Sequence, residues 1–216
     1  MIFNNQKLKL AITPRFFENS VEQLIAIEKK YYPFFKSYGH NIHLIPYMGL
    51  KPREYLDDLM PDAVIFAGGY RLHTDEIKKF EIKVLEETLK RKIPILAICC
   101  GMWTINYYFN GTLKFDESHQ AFDGEKIDVK KIVHSVTATD FIKLSTYNVN
   151  TFHSKTIDRI GDGLNSFLIA EDDTIEGFYS LEKKIIGIQF HMENKGVSSS
   201  LTRQIMEKFE ELCQRR

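Results

Sequence analysis

Two five-residue runs made only of apolar side chains, each followed by a glycine-containing turn, constrain the fold more than any other feature. Residues 63–67 (AVIFA) precede a Gly-Gly pair, and residues 94–98 (PILAI) precede a Cys-Cys-Gly turn. Runs of this kind are typical of strands buried on both faces of a parallel sheet, where helices cover each side. We therefore expect both runs in the centre of such a sheet.

Amphipathic stretches alternate with these runs along the first half of the chain. The pattern predicts strands at residues 8–12, 42–45, 63–67 and 94–98 and helices at residues 18–38, 52–59 and 75–90. Strands that alternate with helices favour an α/β fold with a mostly parallel sheet and helices on both faces. Ligands of such sheets bind at the carboxyl ends of the strands, where both glycine-containing turns fall.

The second half changes to shorter segments joined by turns, which predicts an antiparallel extension of the sheet. The expected elements are strands at residues 132–137, 142–144, 147–152, 167–170, 175–179 and 185–190, and a terminal helix from about residue 198. The sequence contains no internal repeat, low-complexity tract or linker rich in Pro, Gly or Ser. It therefore predicts a single domain over residues 1–216.

The composition argues against several classes of partner. Lys+Arg and Asp+Glu balance at 29 each, whereas proteins that bind nucleic acid or anionic membranes usually carry a basic excess. No apolar run approaches the roughly 18 residues of a membrane-spanning helix, and the first residues show no signal-peptide pattern. Three cysteines, two of them adjacent, do not make a disulfide framework. We expect a soluble protein of a reducing compartment, the cytoplasm.

The turn after the second apolar run has the pattern of a nucleophile elbow. A strand leads into small residues, and a helix can begin at Gly101. The side chain at the apex of such a turn projects above the sheet, and the free N–H groups of the helix favour a thiolate and can face an oxyanion. A cysteine pair that ends a buried strand is also common in ordinary cores, so this segment alone leaves both interpretations open.

A second strand ends in His191-Met-Glu193, which can orient a catalytic base. Residues two apart on an extended chain project to the same side, so Glu193 can accept an imidazole N–H and fix the tautomer of His191. His191 could then take a proton from a thiol. An isolated His-x-Glu pair can equally be a surface pair or part of a metal site.

In this order, the segments resemble the class I glutamine amidotransferase-like family. The matches are ITPR at residues 12–15, the Gly-Gly pair, PILAICCGMW at 94–103 against P-[IV]-L-G-I-C-R-G-M-Q, VNTFH at 149–153 against V-N-S-x-H, and GIQFHME at 187–193 against G-[IV]-Q-[FW]-H-P-E. The finer resemblance is to its stand-alone γ-glutamyl hydrolases of peptidase family C26, which include γ-glutamyl-γ-aminobutyrate hydrolases and the γ-glutamyl-CDP-amidate hydrolases of capsule biosynthesis. It implies a three-layer flavodoxin-like fold.

The resemblance also implies which residues act. The nucleophile stands two positions before the elbow glycine, which makes it Cys99. His191 would be the base and Glu193 the residue that orients it. The backbone N–H groups of Gly69 and Cys100 would form the oxyanion hole. No metal and no organic cofactor is implied.

Other positions near the implied site match or depart from the family pattern. Met102 and His153 match positions implied to lie beside the substrate, although a purely structural role for His153 is an equal alternative. Arg71 stands where the family has an acidic residue, Trp103 where it has glutamine and Met192 where it has proline. An arginine at position 71 would suit a phosphate-bearing or otherwise anionic leaving group, unless its side chain only extends into solvent.

The implied reaction is hydrolysis of a γ-glutamyl amide or phosphoramidate through a γ-glutamyl thioester, with water as the second substrate and L-glutamate as a product. Two alternatives stay open. One is a glutaminase component that delivers ammonia to a separate synthetase partner. The other is a catalytically silent binding protein of the same fold. The resemblance leaves the leaving group and the formation of a homodimer undetermined.

Overall fold

The computed structural model describes residues 7–18, 23–47, 52–69, 75–116, 122–123, 126–127 and 133–214. The helices are α1 (Tyr31–Ser37), α2 (Pro52–Leu59), α3 (Asp75–Lys90), α4 (Cys100–Tyr108) and α5 (Ser199–Gln214). The strands are β1 (Lys9–Ile12), β2 (Arg15–Glu18), β3 (Gln23–Ala26), β4 (Asn41–Leu44), β5 (Ala63–Phe66), β6 (Ile95–Ile98), β7 (Thr112–Phe115), β8 (Phe122–Asp123), β9 (Lys126–Ile127), β10 (Val133–Ala138), β11 (Thr146–Asn150), β12 (Lys155–Arg159), β13 (Asn165–Ala170), β14 (Ile175–Ser180) and β15 (Ile185–Ile188).

Eleven of these strands form one mixed sheet. Its central part is parallel, in the order β4-β1-β5-β6-β15. Strand β14 pairs antiparallel with β15, and β13, β10 and β11 continue the antiparallel extension. Strands β12 and β7 join through β14. The expected mixed α/β architecture, parallel in its core with an antiparallel extension, is confirmed.

The two faces of the parallel strands pack against different helices, which explains why both apolar runs lack polar positions. Along β5, Ile65 faces a core shared with α1 and α5, whereas Val64 and Phe66 face a core shared with α2, α3 and α4. Side chains of a strand alternate between faces, so a strand covered on both sides has to be apolar at every position. The result is three layers, helix on sheet on helix.

The helix predicted at residues 18–38 is wrong over much of its length. Strands β2 and β3 pair antiparallel there, and helix α1 begins only at Tyr31; residues 19–22 lie outside the described part. The missed signal is Pro33, which lies in the first turn of α1. Proline is tolerated in a first helical turn, where its missing N–H is not needed, but it would break a longer helix. Leu24 is 48% exposed, so the apolar stripe that suggested a helix is not a buried face.

The strand predicted at residues 142–144 is also wrong. These residues belong to the turn between β10 and β11, in which the Ala138 N–H donates to the Ser145 carbonyl at 3.0 Å. The Tyr147 hydroxyl closes the turn by donating to the Lys143 carbonyl at 2.9 Å. Strands β7 and β12, which the sequence analysis missed, pair with each other at the margin of the sheet.

The carboxyl ends of three adjacent parallel strands bring the predicted site segments together. Strand β5 leads to the Gly-Gly pair, β6 to Cys99 and β15 to His191. At Gly101 a Cβ atom would lie only 2.3 Å from the Phe66 carbonyl oxygen, so α4 starts in contact with the end of β5. Among the helices that the structure describes, none is long and apolar enough to cross a membrane.

Replacing Gly101 should test how closely α4 approaches β5. We expect Gly101→Ala to lower the free energy of unfolding by about 1–3 kcal/mol, because the new methyl group meets backbone atoms that cannot rotate away. Urea unfolding would measure the change. Ser200→Ala, on the exposed first turn of α5, is the control and should stay within about 0.5 kcal/mol of the parent. A Gly101→Ala variant as stable as the control would show that the end of β5 can move away from the new methyl group at little cost in stability.

Candidate active site

Cys99 occupies a strained turn between β6 and α4. Its φ and ψ angles are 51° and −115°, a backbone conformation that is costly for a residue with a side chain. The Cys99 N–H donates to the Ile188 carbonyl at 2.8 Å, which continues the β6–β15 pairing up to the turn. Helix α4 starts at the next residue. This is the geometry of a nucleophile elbow.

The sulfur of Cys99 lies beside an oriented amide. Gln189 Nε2 donates to Cys99 Sγ at 3.8 Å, and Trp103 Nε1 donates to Gln189 Oε1 at 2.8 Å. Because an indole N–H can only donate, it holds the Gln189 oxygen toward Trp103 and the amide N–H₂ group toward the sulfur. Trp103, which departs from the family pattern, therefore contributes to the environment of Cys99.

The pKa of Cys99 is higher than the elbow geometry alone predicts. A hydrogen bond with the Cys100 side chain and burial raise the pKa of Cys99 well above its ordinary value, and the nearby Arg15 charge lowers the pKa by a smaller amount. The expectation that the helix N-terminus favours a thiolate is thus outweighed by burial and by the neighbouring thiol.

His191 and Glu193 form the pair that their spacing predicted. The distance from His191 Nδ1 to Glu193 Oε1 is 2.6 Å, and the Glu193 side chain is fully buried. Burial acts to lower the pKa of His191, but the charge of Glu193 and its hydrogen bond outweigh burial and raise the pKa above its ordinary value. The pair occupies Nδ1 and leaves Nε2 as the nitrogen that can exchange a proton with another group.

The imidazole ring of His191 lies directly on the Gly-Gly loop. A Cβ atom at Gly68 would be 2.4 Å from His191 Cε1, so only glycine fits. The Gly68 N–H donates to the Tyr31 hydroxyl at 2.7 Å, and the carbonyl of Gly68 accepts from Arg15 Nε at 2.9 Å. Gly69 has a φ of 124°, which a residue with a side chain rarely adopts. The loop is therefore held from three sides.

Cys99 and His191 extend from neighbouring strands at the same edge of the sheet. The register pairs Ile98 with Ile188, the last residues of β6 and β15. Cys99 comes directly after Ile98, and His191 comes three residues after Ile188. Among the hydrogen bonds of the described residues, none joins Cys99 to His191. Catalytic hydrogen bonds are often long or poorly aligned before substrate binds, so this geometry is compatible with a thiol–imidazole pair that forms on binding.

Asn150, whose role the sequence did not predict, fixes the loop that carries His191. Its Nδ2 donates to the His191 carbonyl at 2.8 Å and to the Lys195 carbonyl at 3.0 Å. The His191 N–H donates back to Asn150 Oδ1 at 2.9 Å. A buried asparagine thus holds the loop after β15 through three hydrogen bonds to its backbone.

His153 lies in a cluster with His134 and Glu176. The Nε2 atoms of both histidines are 3.5 Å from Glu176 Oε1. Burial acts to raise the pKa of Glu176, but His153 and His134 outweigh it and lower the pKa to about 2. The backbone carbonyl of Glu176 accepts a hydrogen bond from the Gln189 N–H at 2.9 Å. This bond connects the cluster to the strand beside Cys99.

The remaining predicted residues fall in different places. Met102 is fully buried in the core between the sheet and α3, where its Cγ would be 3.1 Å from a Cβ at Gly187. Arg71 lies outside the described residues. Cys100 is buried, and its sulfur accepts from Arg15 at 3.3 Å.

One group in the described part of the chain has metal-ligating atoms close together. Glu28, His191 and Glu193 each offer an atom within 4.8 Å of the others. Glu28 is exposed and pairs with Lys30 at 3.8 Å, and Glu193 Oε1 is engaged with His191. These contacts fit an oriented base as well as they fit a cation site.

Comparison with known proteins identifies the family. A model of the Peptidase C26 family matches residues 58–193, which include the Gly-Gly loop, the elbow and the His-x-Glu pair. The chain belongs to the Peptidase C26 family. This confirms the resemblance inferred from the sequence motifs.

Individual relatives agree with this family. The γ-glutamyl-CDP-amidate hydrolase of Campylobacter jejuni is 31% identical over 140 residues, covering 62% of this chain and 62% of that protein. A glutamine amidotransferase-like protein of Lactococcus lactis is 26% identical over 200 residues, covering 81% of this chain and 84% of its own. A crystal structure from Thermoplasma acidophilum, described as that of a GMP synthase component, has a TM-score of 0.71 at 18% identity, covering 96% of this chain and 94% of that chain. The last likeness concerns the fold alone.

Removing the charge of Glu193 should change the titration of His191. We expect Glu193→Gln to lower the pKa of His191, since the carboxylate is what raises it against burial. An NMR titration of the His191 ring would measure the pKa. An unchanged pKa would contradict the pairing.

The Glu176 cluster should make stability depend on acid pH. The folded-state pKa of about 2 lies below the ordinary 4.5, so the ionised carboxylate contributes stability above about pH 4.5 and loses it as the pH falls toward 2. We expect Glu176→Gln to lower the free energy of unfolding by about 3 kcal/mol at neutral pH, with the difference shrinking over that window. Urea unfolding at several pH values would measure it. Glu182→Gln, whose side chain is 89% exposed, is the control and should show no such window.

Proposed function

We propose that this protein is a cysteine hydrolase that cleaves a γ-glutamyl amide bond through a γ-glutamyl thioester. The observation that carries the proposal is the strained Cys99 elbow, one strand away from a His191–Glu193 pair at the same edge of the sheet. Membership of the Peptidase C26 family and the name of the Campylobacter jejuni relative support hydrolysis of this bond. The chain spans 62% of that relative's length, so its substrate is carried over only as a hypothesis.

The first half of the proposed reaction forms the thioester. Cys99 Sγ attacks the γ-carbonyl carbon while His191 takes the thiol proton at Nε2. The carbonyl electrons move to oxygen, and the backbone N–H groups of Gly69 and Cys100 are proposed to stabilise that oxyanion. His191 then gives the proton to the leaving nitrogen as the carbon–nitrogen bond breaks.

The second half returns the enzyme to its starting state. With its proton gone to the leaving group, His191 removes a proton from water as the water oxygen attacks the thioester carbonyl. The carbon–sulfur bond breaks, glutamate leaves, and the proton returns to the sulfur. Glu193 keeps Nδ1 protonated throughout, so the same nitrogen, Nε2, serves both steps.

A panel of γ-glutamyl compounds should separate this proposal from its two alternatives. We expect glutamate release from a γ-glutamyl nucleotide amidate or another γ-glutamyl amide with no partner added. Ammonia release from glutamine only when a synthetase is present would favour the glutaminase that serves a partner. If the chain neither turns over the panel nor is labelled at Cys99 by a glutamine-analogue electrophile, it would be the silent binding protein.

The two adjacent cysteines give a matched pair of variants. Cys99→Ala should lower turnover by at least about a thousandfold, because no other group replaces the nucleophile. Cys100→Ala should lower turnover far less than Cys99→Ala, since the backbone N–H of residue 100 remains and only the contact of its sulfur with Arg15 is lost. Glutamate release under saturating substrate would measure both. Equal loss in the two variants would show that the wrong cysteine has been assigned.

A further inference from the structure

Arg15 is a buried arginine that contacts both halves of the candidate oxyanion hole. It is 2% exposed and follows β1 at the start of β2. Its Nε donates to the Gly68 carbonyl at 2.9 Å, and its second terminal nitrogen donates to Cys100 Sγ at 3.3 Å. The fork of one guanidinium thus joins the Gly-Gly loop after β5 to the elbow after β6.

The aliphatic part of Arg15 also supports the loop. A Cβ atom at Gly69 would lie 3.2 Å from Arg15 Cγ, so the stem of the arginine packs against the residue whose N–H is proposed to face the oxyanion. Because Gly69 has a φ of 124°, its peptide orientation depends on its surroundings rather than on its own side chain. Arg15 supplies a large part of those surroundings.

Two further groups fix the position of the guanidinium. Its first terminal nitrogen donates to Glu81 Oε1 at 2.9 Å and to the Pro14 carbonyl at 2.8 Å. Glu81 is fully buried on α3 and also accepts from the Thr13 and Thr104 hydroxyls, at 2.9 and 2.7 Å. A charge-assisted pair held in this way keeps little rotational freedom.

We propose that Arg15 is a positioning residue for the reaction: its guanidinium and stem hold Gly69 and Cys100 at the separation at which their N–H groups meet one developing oxyanion. The inference rests on the proposed function, in which those two N–H groups form the hole. It adds a residue that touches neither the substrate nor the reacting sulfur but determines where the oxyanion donors lie. An oxyanion hole depends on preorganisation, so small displacements of one donor reduce the rate.

The charge of Arg15 has a second effect that the experiment has to separate from positioning. Cys100, the Glu81 carboxylate and the hydrogen bond to it outweigh burial and raise the pKa of Arg15, so it stays charged. That charge lowers the pKa of Cys99, although the Cys100 hydrogen bond and burial raise it more. A variant that keeps the charge but lacks the planar guanidinium N–H groups isolates the positioning role.

Arg15→Lys is that variant. Lysine keeps the charge opposite Glu81, but a single ammonium on a flexible stem cannot hold the Gly68 carbonyl and Cys100 in one planar arrangement. We expect kcat to fall about 10- to 100-fold with KM changed less than about threefold. The rate at which iodoacetamide alkylates Cys99 should stay within about threefold of the parental rate. This rate depends on the thiolate fraction of Cys99 and not on the oxyanion hole. Arg53→Lys, an exposed change of the same type, is the control.

An aldehyde analogue gives a direct readout of the hole. When Cys99 Sγ adds to the aldehyde carbon of N-acetylglutamate γ-semialdehyde, whose blocked amine cannot cyclise onto the aldehyde, the thiol proton passes to His191 Nε2, a carbon–sulfur bond forms and the carbonyl electron pair moves to oxygen, which enters the proposed hole. In Arg15→Lys, the inhibition constant of this aldehyde should rise by about the same factor by which kcat falls. A merely structural role would instead change alkylation, KM and thermal stability together, and that outcome would overturn the proposal.

Two further results keep the inference separate from the proposed function. If Cys99→Ala is inactive while a folded Arg15→Lys keeps the parental kcat and aldehyde affinity, the inference fails and the proposed function stands. If Cys99→Ala stays active, the proposed function fails. Should Arg15→Lys not fold, the double variant Arg15→Met/Glu81→Met removes both buried charges and should show the same loss of kcat and aldehyde affinity; parental values would overturn the inference.

Discussion

The side-by-side pairing of three parallel strands is the constraint on which the rest of the site depends. Phe66 on β5 pairs with Ala97 on β6, and Ile98 on β6 pairs with Ile188 on β15. This register ends the three strands at one level, so the Gly-Gly loop, the elbow and the His-x-Glu segment start side by side. All three strands have to be apolar because both of their faces are buried. The site lies at their carboxyl ends, where the chain leaves the buried sheet.

Crowding at this edge then determines which residues can stand there. The ring of His191 occupies the space that a side chain at Gly68 would need, and the carbonyl of Phe66 occupies the space that one at Gly101 would need. Arg15 fills the volume under Gly69, with its charge compensated by Glu81. A buried ion pair contributes little net stability compared with apolar packing, but removing one partner is costly. Here the pair fixes the geometry between the Gly-Gly loop and the elbow.

The sequence predicted the parallel strands, the elbow and the His191–Glu193 pair because each depends on a local pattern: an apolar run, a small-residue turn, a spacing of two. It did not predict the contacts of Arg15, Glu81 and Asn150, most of whose partners lie between 23 and 85 positions away along the chain. The β2–β3 hairpin was missed for a related reason. Its residues satisfy a helical spacing, and only Pro33 signals that the helix starts later. Periodicity reports local structure, whereas contacts between buried polar groups follow from the assembled sheet.

The electrostatics of the two cysteines and His191 determine how the proposed reaction would begin. The hydrogen bond of the Cys99 thiol to Cys100, together with burial, raises the pKa of Cys99, and Glu193 raises the pKa of His191 against burial. A raised pKa favours the protonated form of the Cys99 thiol over the thiolate. Proton transfer to His191 would then accompany the attack on substrate, when the oxyanion forms beside the N–H groups that Arg15 positions. In the proposed reaction, the rate would then depend on the oxyanion donors as well as on the thiolate.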